Sequence, residues 1–189
     1  SPITMGTQLQ NKVSIIIPHY NHYSILDECL KSLKNISYEN IEIIVVDNNS
    51  TDDSILLLNE NYKDIIIQRS KINLGYAGGC NLGASIATGE YLLFLNNDTI
   101  HDNSFLNILV EELDNDKSLA CIQPKIKNYN NKEYFDYAGA SGGFIDYLVF
   151  PFCRGRIFDT IEKDDNQYES KMKVFWTSGT AFLTSKILF

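Results

Sequence analysis

Short runs of apolar, often β-branched residues alternate along the chain with stretches whose apolar positions recur at helical spacing. Val13 to Pro18 (VSIIIP), Ile41 to Val46 (IEIIVV), Ile65 to Gln68, Tyr91 to Leu95 (YLLFL) and Ala120 to Gln123 read as strands. Between them, Ser24 to about Asn35 carries Ile25, Leu26, Cys29, Leu30 and Leu33 on one helical face. Asp53 to Asn61, Tyr76 to Thr88 and Ser104 to Asp114 follow as helices, the last through Phe105, Leu106, Leu109 and Leu113. Asn21 or Ser24 is the expected N-cap of the first helix, and Gly89 the expected left-handed residue after the third. The third is rich in small residues (Gly78, Gly79, Gly83, Ala84, Ala87), which permits close backbone approach. Four strand–helix units in succession predict an α/β fold with a mostly parallel, right-handedly wound, Rossmann-like sheet flanked by helices.

Beyond Pro124 the periodicity loosens. Tyr129 to Phe152 is rich in Tyr, Phe and Gly, and Arg154 to Lys171 is polar, so a smaller irregular or antiparallel C-terminal part is expected, with a mobile loop between Arg154 and Ser170. Lys173 to Trp176 reads as another strand, Thr177 to Thr180 as a turn, and the chain ends on apolar Ile187, Leu188 and Phe189.

Each strand of the first half runs into polar residues: His19-Tyr20-Asn21, Asp47-Asn48-Asn49-Ser50, Lys71 to Gly75, and Asn96-Asn97-Asp98. Parallel strands point the same way, so these four exits meet on one rim, where open α/β sheets bind ligands. Each cluster also has a purely structural explanation. Ser50 to Asp52 suits a helix cap, Asn73 and Gly75 suit a turn, and Asn-Asn-Asp turns a chain on its own. Asn81 reads as a brace rather than a contact, and Trp176 as core.

Composition narrows the function classes. In 189 residues, 44% apolar, a single domain over residues 12–189 is expected, preceded by a flexible leader over residues 1–11. Sixteen basic against twenty-four acidic residues give a net charge of −8 without a Lys/Arg cluster, which argues against a nucleic-acid face. An anionic ligand on such a chain needs a cation, and a carboxylate such as Asp98 can hold one. Cys29, Cys80, Cys121 and Cys153 are dispersed, which excludes a zinc knuckle or C-x-x-C motif and fits a reduced cytosolic protein. No apolar run approaches the roughly 18 residues of a membrane span, and the leader lacks the basic and apolar regions of a signal peptide. The turn after the first strand is Pro-His-Tyr-Asn, not glycine-rich, and neither a GxxxxGK[ST] loop nor a G-x-S-x-G elbow occurs. His19 and His22 lack a third zinc ligand, and Ala138 to Gly143 reads as a turn without phosphate-loop context.

The order VSIIIPHYN, IEIIVVDNNSTDDS, NLGYAGGCNLGA, GEYLLFLNNDT resembles the nucleotide-sugar-binding half of the family 2 inverting glycosyltransferases, whose fold is called GT-A. The resemblance covers Val13 to about Thr99, and WTSGTAFLTSKILF resembles the family's later sugar or acceptor loop more weakly. It implies that Pro18, His19, Tyr20 and Asn21 line the base, that Asp47 and Asn48 contact base or ribose, and that Asn73 to Gly79, Gly75 and Gly78 included, complete the nucleotide side. Asn96-Asn97-Asp98 becomes a D-x-D-like motif in which Asp98 binds Mg²⁺ or Mn²⁺ across a diphosphate. Trp176, Ser178 and Gly179 fall on the sugar or acceptor side. The implied donor is a UDP- or dTDP-sugar, and the implied acceptor a glycan or lipid-linked hydroxyl in bacterial surface-polysaccharide assembly. The implied place is the cytoplasm, with peripheral association at the inner face of the membrane.

Asn48 and Asn97 stand where many relatives carry carboxylates, which lowers the charge available to a metal. The general base of an inverting transfer is expected beyond Phe189, so the chain reads as a domain truncated at its C-terminus, binding donor weakly and transferring little sugar. Two other functions stay open at this point: a non-catalytic nucleotide-sugar-binding module, and a sugar-1-phosphate nucleotidyltransferase, which would show a basic glycine-rich loop after its first strand.

Overall fold

The computed structural model describes residues 10–137, 141–157 and 159–189, with no side-chain description for residue 157. Most of the expected leader, and positions 138–140 of the expected glycine-rich turn, lie outside these residues. The elements run β1 (Val13–His19), α1 (Tyr23–Leu33), β2 (Ile41–Asp47), α2 (Ser54–Asn61), β3 (Ile66–Arg69), α3 (Gly75–Ile86), β4 (Tyr91–Leu95), α4 (Phe105–Asn115), β5 (Cys121–Ile122), β6 (Gly143–Ile145), β7 (Pro151–Cys153), β8 (Arg156–Ile157), β9 (Thr160–Ile161) and β10 (Ala181–Ser185).

The main sheet has the order β3-β2-β1-β4-β10-β5. β1 pairs in parallel with β2 from Val13↔Ile41 to His19↔Asp47, and with β4 from Val13↔Tyr91 to Ile16↔Phe94. β3 extends the parallel part through Ile44↔Ile66 to Asp47↔Arg69. The chain thus winds outward from β1 to β3 and returns to place β4 on the other side of β1. That reversal puts a switch point between the carboxyl ends of β1 and β4. β10 runs antiparallel between β4 and β5. A second, antiparallel sheet, β6-β7-β8-β9, forms the smaller part.

Alternation along β1 divides the core. Ile15 and Ile17 join Leu26, Leu30, Leu58, Leu106 and Leu109 beneath α1, α2 and α4, whereas Ile16 joins Ile44, Val46, Cys80, Ala84 and Phe94 beneath α3. β1, β4 and the end of β2 are therefore buried on both faces, which is why they read as unbroken apolar runs.

Several boundaries depart from expectation. α1 is entered through His22 in the left-handed conformation (φ 61°), and neither Asn21 nor Ser24 caps it. Asn21 instead uses its side chain on the loop after β2. Gly89 is not left-handed. Extended backbone at Ala87 ends α3, and Gly89 is small because a Cβ there would lie 2.7 Å from Lys12 O and Ser14 N. Lys173 to Trp176 is no strand: it touches β6 through one isolated bridge, Gly143↔Trp176, with the Phe175 amide also donating to Gly143 O at 2.8 Å, so its pairing is confined to a single residue of β6.

Candidate functional site

The register aligns His19, Asp47 and Arg69 as the last rung of the parallel strands, and the rim is built upward from it. Asp47 is fully buried; its Oδ1 accepts the Ser50 amide at 2.9 Å, and its Oδ2 lies 3.0 Å from Arg69 Nε. Arg69 Nη2 also donates to Ser50 O at 3.3 Å, so one guanidinium ties the exit of β2 to that of β3. Asn48 donates through Nδ2 to Gly75 O at 3.1 Å, and Asn73 Oδ1 accepts the Gly75 amide at 2.8 Å. Gly75 is left-handed (φ 69°) with open space at its Cβ position, so backbone conformation rather than packing calls for glycine. The exit of β1 is laced to that of β2: the Asn21 amide donates to Ser50 Oγ, the Thr51 amide to Asn21 Oδ1, and the His22 amide to Asp52 Oδ2.

At the switch point, Asn97 Nδ2 lies 3.0 Å from His19 Nδ1. With the amide donating, the ring proton sits on Nε2, which is buried without a partner among the described residues, as is Asn48 Oδ1. Burial lowers the His19 pKa, with Asp47 and then Asp52 opposing it, so the neutral imidazole is favoured. One residue on, Asp98 is exposed and makes no hydrogen bond or ion pair to any described residue.

The segment before β10 arrives from the far side. β10 is antiparallel to β4, so its start meets the end of β4, and the Asn96 amide donates to Thr180 O at 2.9 Å. The Tyr76 hydroxyl donates to Gly179 O, clamping the first turn of α3 to this segment. Burial, then Cys80 and Asp98, push the Tyr76 pKa upward, which keeps the hydroxyl a donor. The Ser178 amide donates to Gln123 Oε1 at 2.7 Å.

The structure therefore gathers Pro18 to Asn21, Asp47, Asn48, Asn73, Gly75, Asn97, Asp98, Ser178 and Gly179 along one edge. Gly79 rather than Gly78 makes the close approach there: a Cβ would sit 2.9 Å from Pro18 Cβ and 3.1 Å from Asn48 Nδ2. At Gly78 a Cβ would meet only Leu74 of the same segment. Trp176 goes elsewhere, its indole lying on Gly143 with Nε1 donating to Phe144 O at 3.3 Å. The donor set at the rim is one unengaged carboxylate preceded by two amides, and no three metal-ligating side chains gather among the described residues. Such a set does not cage an ion. It suits a hard cation whose remaining ligands are water and phosphate oxygens.

The glycosyl transferase family 2 model matches residues 14–183. This chain belongs to glycosyl transferase family 2. Among curated members, it is 29% identical over 142 residues to glycosyltransferase GlyG of Streptococcus pneumoniae, covering 72% of this chain and 44% of that protein. It is 41% identical over 93 residues to the poly(ribitol-phosphate) beta-glucosyltransferase of Bacillus spizizenii, covering 46% and 15%. Among solved structures it superposes on S. aureus TarS 1-349 with a TM-score of 0.58 at 23% identity, covering 73% of this chain and 42% of that one. The mannosyltransferase PcManGT of Pyrobaculum calidifontis, in complex with GDP-Man and Mn²⁺, gives 0.57 at 23% identity, covering 66% and 38%. The chain thus spans less than half the length of these relatives. The sheet flanked by helices, with its small antiparallel companion, is the GT-A fold.

Two rim residues of this family 2 member, Arg69 and Gln123, escaped the sequence reading, whereas Tyr76 and Thr180 fall inside stretches that the resemblance assigns to the nucleotide side and to the sugar or acceptor loop, without their bonds being foreseen. Arg69 left a faint trace as a charge closing an apolar run, but its pairing with Asp47 requires the register. The bonds that Tyr76, Gln123 and Thr180 make at the rim arise only through strand order, which leaves no local pattern.

Proposed function

We propose that this chain carries the donor site of an enzyme that moves a sugar from a UDP- or dTDP-sugar to a hydroxyl of a glycan or lipid-linked acceptor, with inversion, assisted by Mg²⁺ or Mn²⁺. The observation that carries the reading is Asp98, exposed and unengaged one residue beyond the His19–Asn97 pair at the switch point. The PcManGT complex, which holds GDP-Man and Mn²⁺ on the same fold, supports it. Tyr20, about half exposed, offers a face to the base, with Pro18, His19 and Asn21 as its neighbours at the exit of β1. Asn48 reaches base or ribose, and Asp47 does so only if Arg69 swings aside; closed as it is, Asp47 positions the Ser50 turn. Asn73, Gly75 and Gly78 shape the start of α3, whose first amides point free N–H groups toward phosphate. Asp98 would hold the cation, which when bound offsets the charge growing on the departing nucleoside diphosphate. Ser178 and Gly179 face the sugar or acceptor side. No helix among the described residues is long and apolar enough to cross a membrane, and the proposed place of action is the inner face of one.

Calorimetric titration with UDP and dTDP, with and without Mn²⁺, tests the proposal. Binding is expected to strengthen with metal, and Asp98→Asn to remove that gain, a loss of about tenfold or more, without shifting Tm. Equal affinity with and without Mn²⁺ would count against the reading.

A further inference from the structure

The hairpin of β6 and β7 carries apolar side chains where a turn in water carries polar ones. Between Ile145 and its partner Pro151 the chain turns through Asp146, Tyr147, Leu148, Val149 and Phe150. Tyr147 is 92% and Val149 74% exposed, and Leu148, Phe150 and Phe152 are exposed with them. The turn is closed, not frayed. Asp146 Oδ1 accepts the Leu148 and Phe150 amides at 2.9 Å, the Asp146 amide donates to Phe150 O at 3.1 Å, and the Val149 amide to Asp146 O at 3.0 Å. At its apex Val149 is left-handed, with φ 68°. Glycine or asparagine fills that conformation with least strain, and a β-branched residue there is an outlier. Two separate penalties, exposed apolar surface and backbone strain, thus coincide at Val149. Glycine or asparagine at position 149 would relieve the strain and remove that exposed side chain, so valine at this position, among exposed Tyr147, Leu148 and Phe150, points to a role for the apolar tip itself.

We propose that this tip inserts into the interfacial layer of a lipid bilayer. A protruding five-residue turn presents no flat or concave face, and entry into a fluid apolar phase needs none. Tyr and Phe beside Leu and Val is the composition that settles at the boundary between headgroups and acyl chains. Charge agrees. Residues 124–176 carry eight Lys/Arg and eight Asp/Glu, so the whole net charge of −8 lies outside the part that bears the hairpin. Two of those cations, Arg154 and Arg156, follow the tip directly, their guanidinium groups resting over Tyr168 at 5.0 Å and Tyr137 at 4.2 Å. A handful of side chains without a lipid anchor gives weak, reversible attachment. The inference does not depend on the donor site.

Flotation of the chain with vesicles of phosphatidylcholine alone, and with one quarter phosphatidylglycerol, tests it. The chain is expected to float with both and to stay bound in high salt, since apolar insertion rather than ion pairing drives it. Replacing Tyr147, Leu148 and Phe150 together by Ser should lower partitioning by about tenfold or more. Val149→Gly should also lower partitioning while holding or raising Tm, because glycine accepts the left-handed turn. No flotation of the unsubstituted chain, or equal flotation of the triple variant, would overturn the proposal. So would a concentration-dependent dimer that the triple substitution dissolves, which would assign the tip to a second copy. Nucleotide titrations are expected to be identical for all these variants, so this proposal and the donor-site reading fail separately.

Discussion

Gly83 illustrates how an absent side chain sets the position of a helix. In the interior of α3, glycine costs about 1 kcal/mol relative to alanine, yet a Cβ there would lie 2.4 Å from Ile16 Cγ2 and 3.0 Å from Val46 Cγ2. Gly83→Ala is therefore expected to destabilise the fold by about 1–3 kcal/mol, overpacking outweighing the gain in helix propensity, as denaturant unfolding would measure. Stability equal to or above that of the parent would show that Ile16 yields. At this scale the sequence was partly legible. The small-residue run of α3 announced close approach, and Asn-Asn-Asp after an unbroken apolar strand announced a polar group delivered to an edge. What no local pattern carried was partnership: Asp47 meets Arg69, and His19 meets Asn97, through register and strand order across tens of residues.

Among elements, the parallel strands and their helices were readable because each is buried on a face with its own period. The misreadings share one cause, a local signal overruled by a distant contact. Gly89 answers to the backbone of Lys12 and Ser14, Asn21 to Thr51, and Lys173 to Trp176 to a single bridge with Gly143. Tyr76 was legible as the start of a helix and as part of the Asn73 to Gly79 stretch, but not as the residue whose hydroxyl joins α3 to the turn before β10. Tyr76→Phe keeps the ring against Gly179 and removes that bond. Amide exchange at Ser178 and Thr180 is then expected to rise by about tenfold with little change in Tm. Unchanged exchange would show that the Asn96–Thr180 and Gln123–Ser178 bonds hold the turn by themselves.

Across the molecule, stabilising polar groups and rim groups occupy opposite edges of the sheet. At the edge where β1 and β2 begin, Ser14 Oγ donates to Glu42 Oε1 at 2.5 Å and accepts the Gly89 amide at 2.8 Å, while Lys12 Nζ lies 2.9 Å from Glu42 Oε2. The Thr88 amide and hydroxyl complete the set, so one carboxylate ties β1 and β2 to the α3–β4 connection. Burial works to raise the Glu42 pKa, but the hydrogen bonds from Ser14, Thr88 and Lys12 outweigh it and hold the pKa down, from 4.5 to about 2. A depressed carboxylate stabilises the fold fully above its unfolded pKa, and that contribution fades as pH falls from about 4.5 to about 2. Glu42→Gln is thus expected to lower stability at pH 7 and to flatten its dependence on pH across that window. Metal-dependent nucleotide binding should be untouched, because His19, Asp47 and Asp98 lie at the other ends of the strands. Urea titrations at pH 7, 4 and 3, paired with the nucleotide titration, check both halves. A loss of nucleotide affinity in this variant would mean that the two edges are coupled through β1 and β2, and that the rim is not assembled independently of the network beneath it.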